Sequence, residues 1–166
     1  MIGSSRESLA ALRASLDARR GEDGFASVPG DLLAVAGVLG QEKSLRQALA
    51  DAGQPAQVRT GIATSLFGGR IGALSLAVLG DTVAARWSSD EDLVDAVERL
   101  AAQAAFALAE TDGSLDRVED ELFAFATQEK YLYAHKWRQG DMVVWDNRCT
   151  MHSATSFERY KYKRDC

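Results

Sequence analysis

Apolar residues recur at every third or fourth position along most of this chain, which is the spacing of amphipathic α-helices. In the first such segment Leu9, Leu12 and Leu16 fall on one face. Ser4 stands three residues before Glu7, the spacing of a capping box, in which each side chain bonds the other residue's free backbone N–H. We therefore expect the first helix to begin at Ser4.

Six helical segments of this kind, joined by short loops, occupy residues 1–113, and a seventh occupies residues 114–126. No segment before residue 127 alternates apolar and polar residues over the length of a strand. The pattern predicts a mainly α fold, in which residues 1–113 form a six-helix bundle and residues 114–126 form a connecting helix.

Two of these segments allow more detailed predictions. In the fourth, Val58, Ile62 and Leu66 recur every four residues, which predicts that they form its buried face. The fifth includes residues 71–80, which are apolar on nearly every side. A helix without a polar face is buried, so we expect the fifth helix to be the central one of the bundle.

The composition changes abruptly near Ala126. Residues 1–126 contain 11 Lys+Arg and 19 Asp+Glu, whereas residues 127–166 contain 8 and 5, together with every tyrosine, histidine and cysteine of the chain. Two β-rich stretches around a turn at Gly140 follow the change. We therefore expect a short β-rich C-terminal appendage over residues 127–166 that need not fold on its own.

The chemistry of the helical part points away from catalysis. Residues 1–126 contain no histidine or cysteine and no glycine loop of the Walker type, which favours a binding or structural role and no cofactor. The net charge of −5 argues against nucleic acid as a partner. The longest apolar stretches are about half of a bilayer span, so we expect no direct membrane insertion and a cytoplasmic location.

The helical part resembles, in order and spacing, the delta subunit of F-type ATP synthases in its actinobacterial form. The most specific part of this resemblance is "ARWS" followed by "DLVDAVE" and "VEDELF". It implies a non-catalytic stator component that binds the N-terminal segments of the alpha subunits on the catalytic head, peripheral on the cytoplasmic face of the plasma membrane. The half that attaches to the b-subunit stalk is expected to be missing.

The resemblance also implies where a partner binds. In that family helices one and five form a groove for an alpha-subunit helix, a helix-in-groove contact. Carried over to this chain, the candidate partner-binding residues are Leu9, Arg13, Leu16, Val83 and Trp87. The alternative is that these side chains pack the bundle, and a helical domain with an unrelated binding role also stays open.

The tail resembles a different family. The stretch "GDMVVWDNRCTMHSAT" resembles the C-terminal part of the taurine dioxygenase family, which binds iron(II) through two histidines and a carboxylate. This resemblance makes His152 the distal iron ligand. The H-x-D pair that supplies the other ligands is absent, since His135 is followed by Lys136 and Trp137. His152 is therefore predicted to be an orphan ligand, and the alternative function is a dioxygenase fragment that is inactive alone.

Overall fold

Seven α-helices and two 3-10 helices form the secondary structure of residues 3–145 and 150–151, which the computed structural model describes. The helices are α1 (Ser4–Ala18), α2 (Val28–Gln41), α3 (Lys43–Ala50), α4 (Ala56–Phe67), α5 (Ala73–Ala84), α6 (Asp90–Asp112) and α7 (Leu115–Ala126). The 3-10 helices are Phe25–Ser27 and Glu129–Tyr131. The predicted mainly helical fold, six helices followed by a seventh, is confirmed.

The first helix begins at Ser4 as predicted, but it lacks the predicted capping box. Its N-cap is Gly3, no side chain bonds the free N–H groups there, and Ser4 already has helical geometry. The hydroxyl of Ser4 instead lies 3.2 Å from that of Ser88. The capping box expected of Ser4 and Glu7 does not form, because Gly3 and not Ser4 is the N-cap of the helix.

The core is centred on α6 and not on α5. The inward face of α6 is fully buried and packs against α1, α2, α3 and α5. Its buried residues are Leu93, Ala96, Val97, Leu100, Ala101, Ala104, Ala107 and Ala109. Helix α5 has apolar residues on all sides, but those on its outer side are alanines such as Ala73 and Ala77, which stay exposed. Exposing a small apolar side chain to water costs little free energy, so the all-apolar pattern predicted more burial for α5 than the structure has.

The buried face of α4 is shifted by one residue from the predicted face. Arg59, Ala63 and Phe67 are buried, whereas Val58 is 46% and Leu66 is 39% exposed. Ile62, the third residue of the predicted face, is partly buried against the core. Both sets have the same four-residue spacing, so periodicity alone favours the more apolar one. The prediction is wrong because the buried arginine binds backbone carbonyls that the sequence pattern does not reveal.

The chain divides into two units, residues 1–126 and residues 127–166. In the second unit the described residues contain the 3-10 helix Glu129–Tyr131 and a turn closed by the N–H of Asp141 on the carbonyl of Arg138. No strand occurs among residues 127–145 and 150–151. The predicted β-rich appendage is therefore not supported, since alternating residues form a strand only where another strand pairs with them.

Candidate binding surface

The predicted partner-binding residues divide into four that are buried and one that is exposed. Leu9 is 8%, Leu16 1%, Val83 0% and Trp87 6% exposed, and all four belong to the core of the bundle. The exposed Arg13 donates from Nε to Oε1 of Gln103 on α6 over 2.9 Å. The buried side chains pack the bundle behind the α1 and α5 surface, and Arg13 lies toward α6.

Small side chains make up the outer side of α5. They recur at helical spacing, are exposed or half-buried, and consist of Ala73, Ala77, Gly80 and Ala84, with Asp81 among them. The Oδ2 atom of Asp81 accepts a hydrogen bond of 2.7 Å from Arg19 at the end of α1. This side of α5 therefore faces solvent next to α1.

The neighbouring side of α1 is lined by Ser8, Ala11, Ser15 and Arg19, which are three or four residues apart and so share one face. Ser8 bonds the carbonyl of Arg86 just beyond α5 over 2.9 Å. We call these four residues, together with the small residues of α5, the α1/α5 surface. Apart from Arg19 and Asp81 its side chains are small, and we call the strip that they form the valley.

A carboxylate from α2 holds the N-terminus of α5. The backbone N–H of Gly72 and the hydroxyl of Ser75 both donate to Oδ2 of Asp31, over 2.9 and 2.6 Å. The N-cap of α5 is Gly72, which has no side chain for this purpose. Asp31 therefore acts as the cap that the local sequence lacks.

The position of Asp31 also sets its ionisation. Burial of the carboxyl group opposes its charge, but hydrogen bonds from Ser75, Gly72 and Ser27 outweigh that effect and lower the pKa of Asp31. The positive end of the α5 macrodipole favours the same ionised form. Asp31 is thus a carboxylate at neutral pH and fixes where α5 begins.

An arginine from α4 holds the opposite end of α5. Arg59 is 3% exposed, and its guanidinium donates to the carbonyls of Val83, Ala84 and Ala85. Val83 and Ala84 are the last two residues of α5 and Ala85 is its C-cap, where no intrahelical N–H is available for the carbonyls. Both ends of α5 are therefore fixed by side chains from other helices. The sequence pattern predicts neither contact, because the residues that form each contact are far apart in the chain.

The described part of the tail does not form a metal centre. His135 contacts Asp141 Oδ2 through Nε2 at 3.1 Å and the Tyr133 hydroxyl through Nδ1 at 3.4 Å. Within residues 3–145 and 150–151, no group of three or more His, Cys, Asp or Glu residues is placed to hold a metal ion. The predicted orphan ligand His152 lies outside the described residues.

The described helices also include none with the length and apolar character needed to cross a bilayer.

Comparison with known proteins relates the chain to two families. It is 46% identical over 135 residues to the ATP synthase subunit delta of Parafrankia sp. (strain EAN1pec), covering 75% of this chain and 48% of the relative. It is 42% identical over 137 residues to that of Frankia casuarinae and 41% identical over 127 residues to that of Streptomyces griseus, with 75% of this chain covered in both and 48% and 47% of the relatives. The chain thus spans about half the length of the curated relatives it matches.

The second family overlaps the first. The profile of the family described as taurine catabolism dioxygenase TauD, TfdA family matches residues 87–165. This match begins forty residues before the predicted tail and includes α6 and α7, of which α6 is central to the helical core. About three quarters of this chain is therefore similar to actinobacterial ATP synthase delta subunits, and its C-terminal half carries an overlapping match to the TauD, TfdA dioxygenase family.

Proposed function

We propose that this chain is a non-catalytic stator component of a proton-translocating F-type ATP synthase, which binds the N-terminal segments of the alpha subunits on the catalytic head. The similarity to proteins named ATP synthase subunit delta supports this role. Assembled in this way, the chain would be peripheral on the cytoplasmic face of the plasma membrane. The similarity that supports this role covers about half of those relatives.

The α1/α5 surface is the proposed site for the alpha-subunit helix. Its alanines and glycine allow the backbone of a docking helix to approach closely, while large apolar side chains of the partner could enter the valley between α1 and α5. The observation that carries the proposal is the exposed row of small residues on α5, which lies beside the half-buried serines of α1. Leu9, Leu16, Val83 and Trp87 would contribute by supporting this surface from the core.

The test is a calorimetric titration of the whole chain with a peptide of the N-terminal segment of the alpha subunit from Parafrankia sp. We expect micromolar or tighter binding. Ala77→Trp fills the valley and should weaken binding by about tenfold or more, which corresponds to about 1.4 kcal/mol. Ala34→Trp, at an exposed alanine of α2, is the matched control and should bind like the unsubstituted chain.

Two results would contradict this proposal. If the unsubstituted chain does not bind the peptide, the inferred role in the synthase fails. If both tryptophan variants bind as tightly as the unsubstituted chain, the peptide binds at a surface other than the α1/α5 surface.

The family match over residues 87–165 supports a second candidate, an iron(II)/2-oxoglutarate dioxygenase fragment that is inactive alone. The described residues do not fit an iron centre. His135 has both ring nitrogens in contact with protein groups, and it lacks the carboxylate two positions later that the family's ligand pair requires. Because this fragment would be inactive alone, its test is a calorimetric titration of the whole chain with iron(II) and 2-oxoglutarate: binding would favour this alternative, and no binding would agree with the stator role.

A further inference from the structure

Arg59 is a buried charged residue whose burial the apolar spacing of α4 does not predict. Its guanidinium donates from Nη1 to the carbonyls of Val83 and Ala85 and from Nη2 to the carbonyl of Ala84 over 3.0 Å. Among the described residues, the Nε atom has no hydrogen-bond partner. A buried cation normally needs a carboxylate, but here the three carbonyls and the negative end of the α5 macrodipole stabilise it.

The same stretch of backbone is held from its other side by α1. The N–H of Ser88 donates to Oγ of Ser5 over 2.7 Å, and Ser8 donates to the carbonyl of Arg86 over 2.9 Å. Ser5 is fully buried. Residues 85–88, the first four of the five residues that join α5 to α6, are thus fixed by Arg59 and by the serines of α1.

We propose that Arg59 is a positioning residue for partner binding: it fixes residues 85–88, and through them the separation of α1 and α5 at the α1/α5 surface. The proposal rests on the function proposed above. Removal of the guanidinium leaves three carbonyls without donors, so the end of α5 loosens and the contacts of Ser5 and Ser8 no longer hold a fixed backbone. The separation of α1 and α5 then varies, so a helix that docks between them no longer meets a surface of fixed shape.

The first measurement is hydrogen exchange at the amides of Ala85 and Ser88 in the whole chain without any partner. Both amides are bonded, Ala85 to the carbonyl of Asp81 and Ser88 to the hydroxyl of Ser5. We expect Arg59→Met to accelerate their exchange by about tenfold, the factor that corresponds to about 1.4 kcal/mol. Arg59→Lys keeps the charge but has one donor nitrogen, so it should accelerate exchange less.

The matched control is Arg46→Met. Arg46 is also a largely buried arginine, but its side chain binds Asp90, two residues after Ser88, over 2.8 Å and the carbonyl of Leu39 over 3.3 Å, and neither partner belongs to residues 85–88. Its loss destabilises the bundle without removing a bond to this connection. Equal acceleration at Ala85 and Ser88 in both methionine variants, or none in either Arg59 variant, would overturn the proposal.

The second measurement is the affinity for the alpha-subunit peptide used above. We expect Arg59→Met to weaken binding by about tenfold and Arg59→Lys to weaken it less. Arg46→Met should leave the affinity unchanged. Unchanged binding by both Arg59 variants would overturn the role in partner binding. If the unsubstituted chain does not bind, the proposed function fails, while the exchange data still decide whether Arg59 fixes residues 85–88. If Arg59→Met does not fold, the comparison of Arg59→Lys with the unsubstituted chain decides both points.

Discussion

The contact between Asp31 and the start of α5 leads to a prediction whose size can be worked out. Asp31→Asn keeps the shape of the side chain but removes the charge that accepts, among others, the hydrogen bonds from Gly72 and Ser75. Bonds to a charged group contribute about 1.5–3 kcal/mol each, against about 0.5–1.5 kcal/mol for neutral ones. Less desolvation of the neutral side chain offsets part of the difference. We expect a net loss of about 2 kcal/mol in the free energy of unfolding at pH 7.

The pH dependence has a definite sign. The pKa of Asp31 in the folded chain is below its unfolded value of 3.8, so ionisation stabilises the fold above that pH. This contribution is lost as the pH falls through the lower, folded-state pKa. The difference between the unsubstituted chain and Asp31→Asn should therefore be complete at pH 6–7, a range that is roughly two or more units above the unfolded pKa, and should shrink below about pH 4.

Urea denaturation followed by circular dichroism at several pH values measures this difference. The control is Asp120→Asn on α7, an exposed carboxylate whose loss should change the free energy of unfolding by less than about 0.5 kcal/mol. A penalty for Asp31→Asn that stays constant between pH 7 and pH 3 would refute the charge-based explanation. A penalty no larger than that of the control would show that Asp31 does not cap α5 in solution.

Three further predictions concern packing, and urea denaturation measures each. Gly72→Ala should lower the free energy of unfolding by about 1–2 kcal/mol, since a Cβ there would lie 2.9 Å from the Ser27 hydroxyl. At Gly61 a Cβ meets nothing within 4 Å, so Gly61→Ala should stabilise α4 by about 0.5–1 kcal/mol. Leu93→Ala should cost about 2–5 kcal/mol because the side chain is fully buried, while Leu33→Ala, at 56% exposure, should cost less than about 1 kcal/mol. Leu66→Lys should be tolerated and Ala63→Lys should unfold the bundle, an order that reverses if the sequence-predicted face of α4 is the buried one.

Local information in the sequence was sufficient for the helices but not for the contacts between them. Each of the seven helices has an apolar spacing of its own, so its presence could be predicted. The buried face of α4 could not, since the partners of Arg59 lie 24 to 26 residues further along the chain.

For the candidate binding surface, too, the sequence indicated the helices but not which of their residues are exposed. The resemblance pointed to α1 and α5, but four of the five residues chosen were large and apolar, and large apolar side chains on a small bundle are mostly core. Val83 and Leu16 are buried, whereas the exposed positions of α5 are small residues such as Ala77. For the tail, alternating residues could predict a strand but not whether another strand pairs with it.

The two residues that cap α5 both precede it in the chain. Asp31 is 41 residues before Gly72, and Arg59 is 24 residues before Val83. A twelve-residue helix such as α5 is unstable in isolation. During synthesis, however, Asp31 and Arg59 have already left the ribosome when α5 emerges. Asp31 can therefore cap the start of α5 first, and Arg59 can cap its end as soon as that end is synthesised and exposed. A circular permutant that begins at α5 would lose this order.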